Sequence, residues 1–199
     1  RISSVPVYAM IRPRQGDFIF DDDDVICMLE DIEACASAGL DGVVLGVLAP
    51  NGSIDMPKMQ QLADKAHSLN LGITFHRAID QCTDYQVALE QVIALGCERI
   101  LTSGLAVNAE QGINVLVDMV KQADGRIDIM AGAGVNATNA KMIQSTTQVP
   151  ALHLSGKSTR PSLMENNSSA QMGNSDIDDY QIPITDVNKI SSLRAALDA

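Results

Sequence analysis

The 199 residues carry 25 acidic against 14 basic side chains, a formal charge of −11, which excludes a polyanion binder needing a basic footprint and disfavours an anionic membrane surface. Hydrophobic residues at 46% suffice for a buried core, while aromatics at 3% and the lack of Trp exclude an aromatic stacking platform. The longest uncharged apolar run, residues 42–50, is far short of the ~20 residues that cross a bilayer.

Taken in chain order, apolar runs alternate with helical patterns. Residues 5–11 read as a buried strand, with Pro6 tolerable near its start. Asp21 to Asp24 then cap a helix and supply its acidic first turn, Val25, Met28, Leu29 and Ile32 form its apolar stripe, and Gly39 stops it. Four consecutive carboxylates at a helix start cannot converge on one ion, so this run is a solvated cap. Residues 42–48 form a second strand, Asn51-Gly52 a turn, and Asp55 caps a helix with Pro57 in its first turn. The remaining elements are a third strand over 73–79 with a helix over 84–95, and a fourth over 99–103 with a helix over 108–122. A fifth strand over 128–131 precedes a short helix over 138–143, and a sixth spans 151–155. A polar stretch over 156–181 and a final helix over 186–197 complete the chain.

Repeated strand-then-helix units imply an α/β fold with a parallel sheet and right-handed crossovers. Two architectures compete: an open doubly wound sheet and a closed (β/α) barrel. Gly132-Ala-Gly134 follows a strand, but the third glycine of a dinucleotide fingerprint is missing. Polar residues gather at several strand ends: Arg12 and Arg14, then His76, Arg77 and Asp80, then Thr102 and Ser103, then His153 and Ser155. A barrel draws its site from many strand ends, whereas a doubly wound sheet uses one switch point. The expectation is therefore a TIM-like (β/α) barrel. Such a barrel has eight units and roughly 250 residues; six are present.

Strand alternation places Thr74, His76 and Ala78 on one face, and His153 with Ser155 on one face. The reading assigns His76, Asp80 and Arg77 to acid–base work. It assigns Arg12, Arg14, Thr102, Ser103, Gly132, Gly134, His153 and Ser155 to anion binding, through guanidinium forks, hydroxyls and glycine-rich loops. The plainer alternatives are core histidines, turns that merely need glycine, and an ion pair of Arg12 or Arg14 with a neighbour such as Asp17 or Asp80. His67 falls on a helix and reads as surface. The four cysteines show no paired metal spacing. Cys27 and Cys35 read as core residues of one helix, Cys97 lies at the opposite end of the barrel, and Met10 and Met130 read as packing. Only Cys82, near His76 and Asp80, stands near the rim as a weak metal ligand. With nine Met and no export signal at Arg1, the expected compartment is the reducing cytoplasm.

Residues 5–18, Val-Pro-Val-Tyr-Ala-Met-Ile-Arg-Pro-Arg-Gln-Gly-Asp-Phe, resemble the opening signature of the CutC family of copper homeostasis proteins. Met28-Leu-Glu-Asp-Ile32, Asp41-Gly-Val-Val-Leu-Gly-Val-Leu48, Thr74-Phe-His-Arg-Ala78, Arg99-Ile-Leu-Thr-Ser-Gly104 and Ile129-Met-Ala-Gly-Ala-Gly-Val135 are similar to its later signatures, in order. The resemblance runs to about Ser155. It implies a TIM-like barrel whose first two units, with a Glu-Leu-Cys strand end and a glycine-rich loop, have no counterpart here. The expectation is a single barrel domain over 1–199 with six of eight units: either a segment precedes Arg1 or this is a shortened member. An unpaired sheet edge should then run along residues 5–11. Restoring the two units makes the glycine loops those after strands 7 and 8, where TIM barrels commonly bind phosphate. Two departures stand out: His153-Leu-Ser155 where the family has a small polar residue between, and a replaced arginine in residues 161–167, with only a partial match at Met172-Gly173.

Copper as cofactor or cargo is implied by the resemblance, not by these residues. The expected partners are a copper ion or a small anionic ligand, with no nucleic acid and no membrane, and self-association as a dimer or tetramer. The leading expectation is intracellular copper handling; the alternative is a barrel enzyme acting on a small anionic or phosphorylated substrate.

Overall fold

In the computed structural model, which describes residues 3–165 and 178–198, six parallel strands lie side by side in sequence order. They are β1 (Tyr8–Met10), β2 (Gly42–Leu45), β3 (Gly72–Phe75), β4 (Arg99–Thr102), β5 (Asp128–Ala131) and β6 (Ala151–Leu152). The connecting helices are α1 (Asp22–Ser37), α2 (Met56–Ser68), α3 (Tyr85–Ala94), α4 (Ile113–Ala123) and α5 (Ala140–Thr147). The sheet curls into an open arc, with β1 and β6 as its two edges. The expected unpaired edge is present, and Val5 and Met10 along it are exposed.

Alternation along the strands builds the two faces. Val43, Leu45, Ile73, Phe75, Ile100 and Ile129 are almost wholly buried and form the core with Met28, Ile32, Leu62 and Leu89 of the helices. The opposite, concave face carries Tyr8, Thr74, Arg99 and Leu101. At its N-terminal end the Tyr8 ring lies over Gly42 and Gly72, which leave room for it, donates to Glu98 and sits under the Arg99 guanidinium. This closes the foot of the arc and leaves the strands' C-terminal ends open.

The helix caps are where the sequence puts them. The Asp21 carboxylate accepts from Asp24 N–H, and Asp24 reaches back to Asp21 N–H in a capping box. Asp55 accepts from Lys58 N–H, and Asp84 accepts from Gln86 and Val87.

Three expectations need correction. Strand β3 ends at Phe75, not at Ile79, because His76 caps a short 3-10 helix over Arg77–Gln81. Ala78 therefore does not continue the face of Thr74 and His76. The helix expected over 108–122 starts at Ile113, and the one over 138–143 is shifted to Ala140–Thr147. The polar stretch holds a strand at its start, β7 (Lys157–Pro161), which pairs antiparallel outside the main sheet with β8 (Gln181–Thr185) at and beyond its end. The final helix, α6, spans Val187–Asp198. No helix among the described residues is long and apolar enough to cross a membrane. The sequence departures at Asn166, Asn167, Met172 and Gly173 lie outside the described residues.

Candidate binding site at the strand ends

A cavity of about 390 Å³ opens at the C-terminal ends of β1, β3 and β4, lined by Arg12, Phe18, His76, Arg77, Asp80 and Leu101 among others. Three side chains stack at its wall. The Arg12 guanidinium lies 4.5 Å above the Phe18 ring, and the Phe18 and His76 ring centroids are 4.7 Å apart. Phe18 is buried, and its place between the Arg12 guanidinium and the His76 imidazole arises from the loop after β1 folding back over β3.

His76 is 3% exposed. Its Nδ1 accepts the N–H of Ala78 at 3.3 Å, so Nδ1 carries the lone pair and Nε2 the proton. Burial, aided by the nearby Arg12 charge, pushes its pKa down to about 4. The imidazole is thus a neutral donor at physiological pH. Among the described residues its Nε2–H has no partner, and neither does the buried Nε–H of Arg12. Buried polar atoms are nearly always satisfied, so two orphaned donors in one cavity mark a place built for an acceptor.

Asp80 anchors the opposite wall. One of its oxygens accepts from Thr102 Oγ1 at 2.6 Å and from Ser103 and Leu105 N–H; the other accepts from Arg77 Nε at 2.7 Å and from Ser103 Oγ. Arg77 also donates to Ser103 Oγ at 3.0 Å. Thr102 and Ser103 are buried. The carboxylate is therefore saturated with donors and holds the 3-10 helix to β4, a positioning task rather than proton transfer.

The remaining sequence candidates divide. Arg14 is turned away from the cavity: it donates to Asp17, Asp24 and the Ile19 carbonyl and stacks on Phe20, which is the structural ion pair weighed from the sequence. Gly134 and Ser155 line a separate cavity of about 530 Å³ with Lys157 and Lys189. Gly132 is buried, and a Cβ on it would crowd Leu101 Cδ1 at 2.5 Å and His153 Cβ at 3.3 Å. His153 lies just past β6 with part of its side chain exposed, and desolvation of the remainder lowers its pKa. His67 is exposed near the Gly96 carbonyl, as expected of a surface residue.

The donors do not fit a resident copper ion. Cu(I) takes thiolate and thioether ligands. Cys82 is buried, its Sγ donates to Ala78 O, and burial pushes its thiol up to about 11; Cys97 is pushed up to about 12. The free lone pair of His76 is occupied at Nδ1. Among the described residues no three His, Cys, Asp or Glu side chains converge as a metal site.

The CutC family model matches residues 1–158. The chain belongs to the CutC family. A relative described as a family protein CutC, from Vibrio atlanticus, is 82% identical over 199 residues, covering all of this chain and 81% of the relative. One from Aliivibrio fischeri is 59% identical, covering 97% of this chain and 78% of the relative. Among solved structures, a copper homeostasis protein CutC from Streptococcus agalactiae superposes with a TM-score of 0.69 at 35% identity, covering 73% of this chain and 70% of that one. The CutC signatures quoted above supply the cavity lining: Arg12 and Phe18 come from the first, His76 and Arg77 from the fourth and Leu101 from the fifth, whose Thr102 and Ser103 hold Asp80.

Proposed function

We propose that the cavity at the strand ends binds a small ligand through an oxyanion, and that the protein acts on such a ligand as a barrel enzyme of unassigned reaction. The observation that carries this reading is the pair of buried, partnerless donors, Arg12 Nε–H and His76 Nε2–H. The neutral imidazole would hydrogen-bond a ligand oxygen, and the Arg12 charge would balance it. Arg77, Asp80, Thr102 and Ser103 would hold the wall rigid. Titration of the protein with sodium phosphate and with sodium acetate, followed by the His76 imidazole resonances, tests the site. Chemical-shift changes at His76 that vanish in Arg12→Met support it; shifts elsewhere with His76 unmoved overturn it.

Intracellular copper handling is the second reading. It rests on the family and on the described name of the Streptococcus relative, and four free cysteines fit a reducing compartment. Copper is cargo in that reading, reached from the exposed Cys27 rather than from the cavity. Competition for Cu(I) against a chromogenic chelator tests it: uptake lost in Cys27→Ser supports it, and no uptake overturns it.

A further inference from the structure

Counting charge around the cavity narrows the ligand. Arg77 is cancelled by Asp80, to which it is bonded at 2.7 Å. His76 is neutral, held so by its buried place and by the Ala78 N–H at Nδ1. Arg12 has no carboxylate partner among the described residues; one of its terminal nitrogens donates to the Gly16 carbonyl at 2.6 Å, and its flat face lies on Phe18. The lining therefore carries a single uncompensated positive charge. Apart from the neutral amide of Gln81, the rest of the wall is apolar: Met10, Phe18, Leu101, Leu105 and Ala106.

We propose that the cavity selects a small monocarboxylate with an apolar body, in preference to a phosphate ester; this rests on the oxyanion reading above. A carboxylate brings two acceptor oxygens for two single donors and one charge for one charge. A phosphate dianion would leave a negative charge without a partner beside apolar walls, where desolvating it is costly. The body of the ligand would lie against Met10, Leu101 and Leu105, which contribute area burial but no polar contact.

Three probes that share a six-carbon chain separate the possibilities: hexanoate, hexyl phosphate and hexanamide, each titrated calorimetrically into the full chain at pH 8 and pH 5. At pH 8, where the phosphate is a dianion with a second pKa near 6, hexanoate should bind about tenfold tighter than hexyl phosphate, a gap of about 1.4 kcal/mol. At pH 5, where hexyl phosphate is a monoanion, a large fraction of the hexanoate is protonated and His76 is still mostly neutral, the gap should fall to about threefold or less. Hexanamide should be about tenfold weaker than hexanoate at pH 8. Arg12→Met should abolish the preference for hexanoate over hexanamide; Arg12→Lys, which keeps the charge, should retain part of it, and circular dichroism of both variants establishes that they fold. Hexyl phosphate binding more tightly than hexanoate at pH 8, with Arg12→Met weakening both, overturns the carboxylate preference and leaves the oxyanion site standing. Equal binding of hexanoate and hexanamide overturns charge selection. No binding, or binding unchanged in Arg12→Met, overturns the oxyanion site and the carboxylate preference together.

Discussion

The imidazole of His76 occupies the space a side chain at Gly46 would need: a Cβ there would stand 2.7 Å from both Cε1 and Nδ1 of His76, and 3.1 Å from Phe75 Cζ. The contact is with a ring that is itself buried and hydrogen-bonded, so it cannot simply swing away. Gly46→Ala should push the ring off the Ala78 N–H, release its tautomer and misplace Nε2–H. Overpacking of this kind costs about 1–3 kcal/mol. Nitrogen-15 spectra of the histidines should show His76 as a single Nε2–H tautomer in the parent and a tautomer mixture in Gly46→Ala. An unchanged His76 spectrum would remove Gly46 from the account of the site.

Asp80 offers a sharper structural test. Both its oxygens accept only N–H and O–H donors, from Arg77, Thr102, Ser103 and Leu105. Its side chain is 7% exposed. In Asp80→Asn one acceptor becomes an NH2 group, which meets a donor whichever way the amide turns. Breaking a largely buried charged network by one partner costs roughly 2–4 kcal/mol. Thermal unfolding should show a loss of that order. A loss no larger than for an exposed control such as Asp64→Asn would mean that the 3-10 helix is held by other contacts.

The six strand–helix units were legible because apolar, β-branched runs mark the strands and Asp caps mark the starts of α1, α2 and α3, whereas α4 and α5 have no side-chain cap and their starts were misplaced. The end of β3 was not legible. Ile73-Thr74-Phe75-His76 alternates like a strand and Ala78-Ile79 extends the apolar run, yet His76 folds back to cap the next turn and Asp80 ties that turn to β4, a tertiary override invisible in spacing. Strand β7 was hidden for the opposite reason: Lys157-Ser-Thr-Arg-Pro161 is exposed along most of its length and has no apolar face to signal it. Arg12, His76 and Asp80 could be named from the sequence as rim residues. Their division of labour could not, because it depends on which donors are left unpaired after folding, and Arg14, two residues from Arg12, spends its donors elsewhere. Phe18 and Gly46 matter through spatial neighbours that no short-range pattern reports.

Thiol chemistry separates the cysteines. Cys27, on α1, is exposed and Cys35 half-buried, whereas burial raises the thiols of Cys82 and Cys97 to about 11 and about 12. At pH 8 the last two are thiolate in less than ~0.1% of molecules. A disulfide reagent should therefore modify Cys27 fast, Cys35 slowly, and Cys82 and Cys97 only after denaturation. Cys27→Ser should remove the fast phase alone. Rapid labelling of Cys82 in the native protein would overturn its assignment as a buried, protonated thiol.

The depressed pKa of His76 makes the fold sensitive to acid in a defined window. Unfolded, the imidazole titrates near 6.5; folded, near 4. Between these values the unfolded state binds the extra proton, so unfolding stability rises with pH. The contribution is complete above about 6.5 and declines as pH falls to about 4, below which both states are protonated and this part of the slope ends. A shift of that size corresponds to a loss of up to about 3 kcal/mol across the window. Urea unfolding from pH 7 to pH 4 should show the decline, and His76→Gln, which keeps a polar side chain but cannot titrate, should flatten it, although the variant starts from lower stability. A carboxylate accepting from the Nε2–H would favour the folded protein in the upper part of the window, where hexanoate is ionised, and saturating hexanoate at pH 6.5 should raise the midpoint of unfolding more in the parent than in His76→Gln. A parent and variant with equal slopes between pH 6.5 and 4 would show that His76 titrates normally in the folded protein, and that its donor is not held neutral by burial.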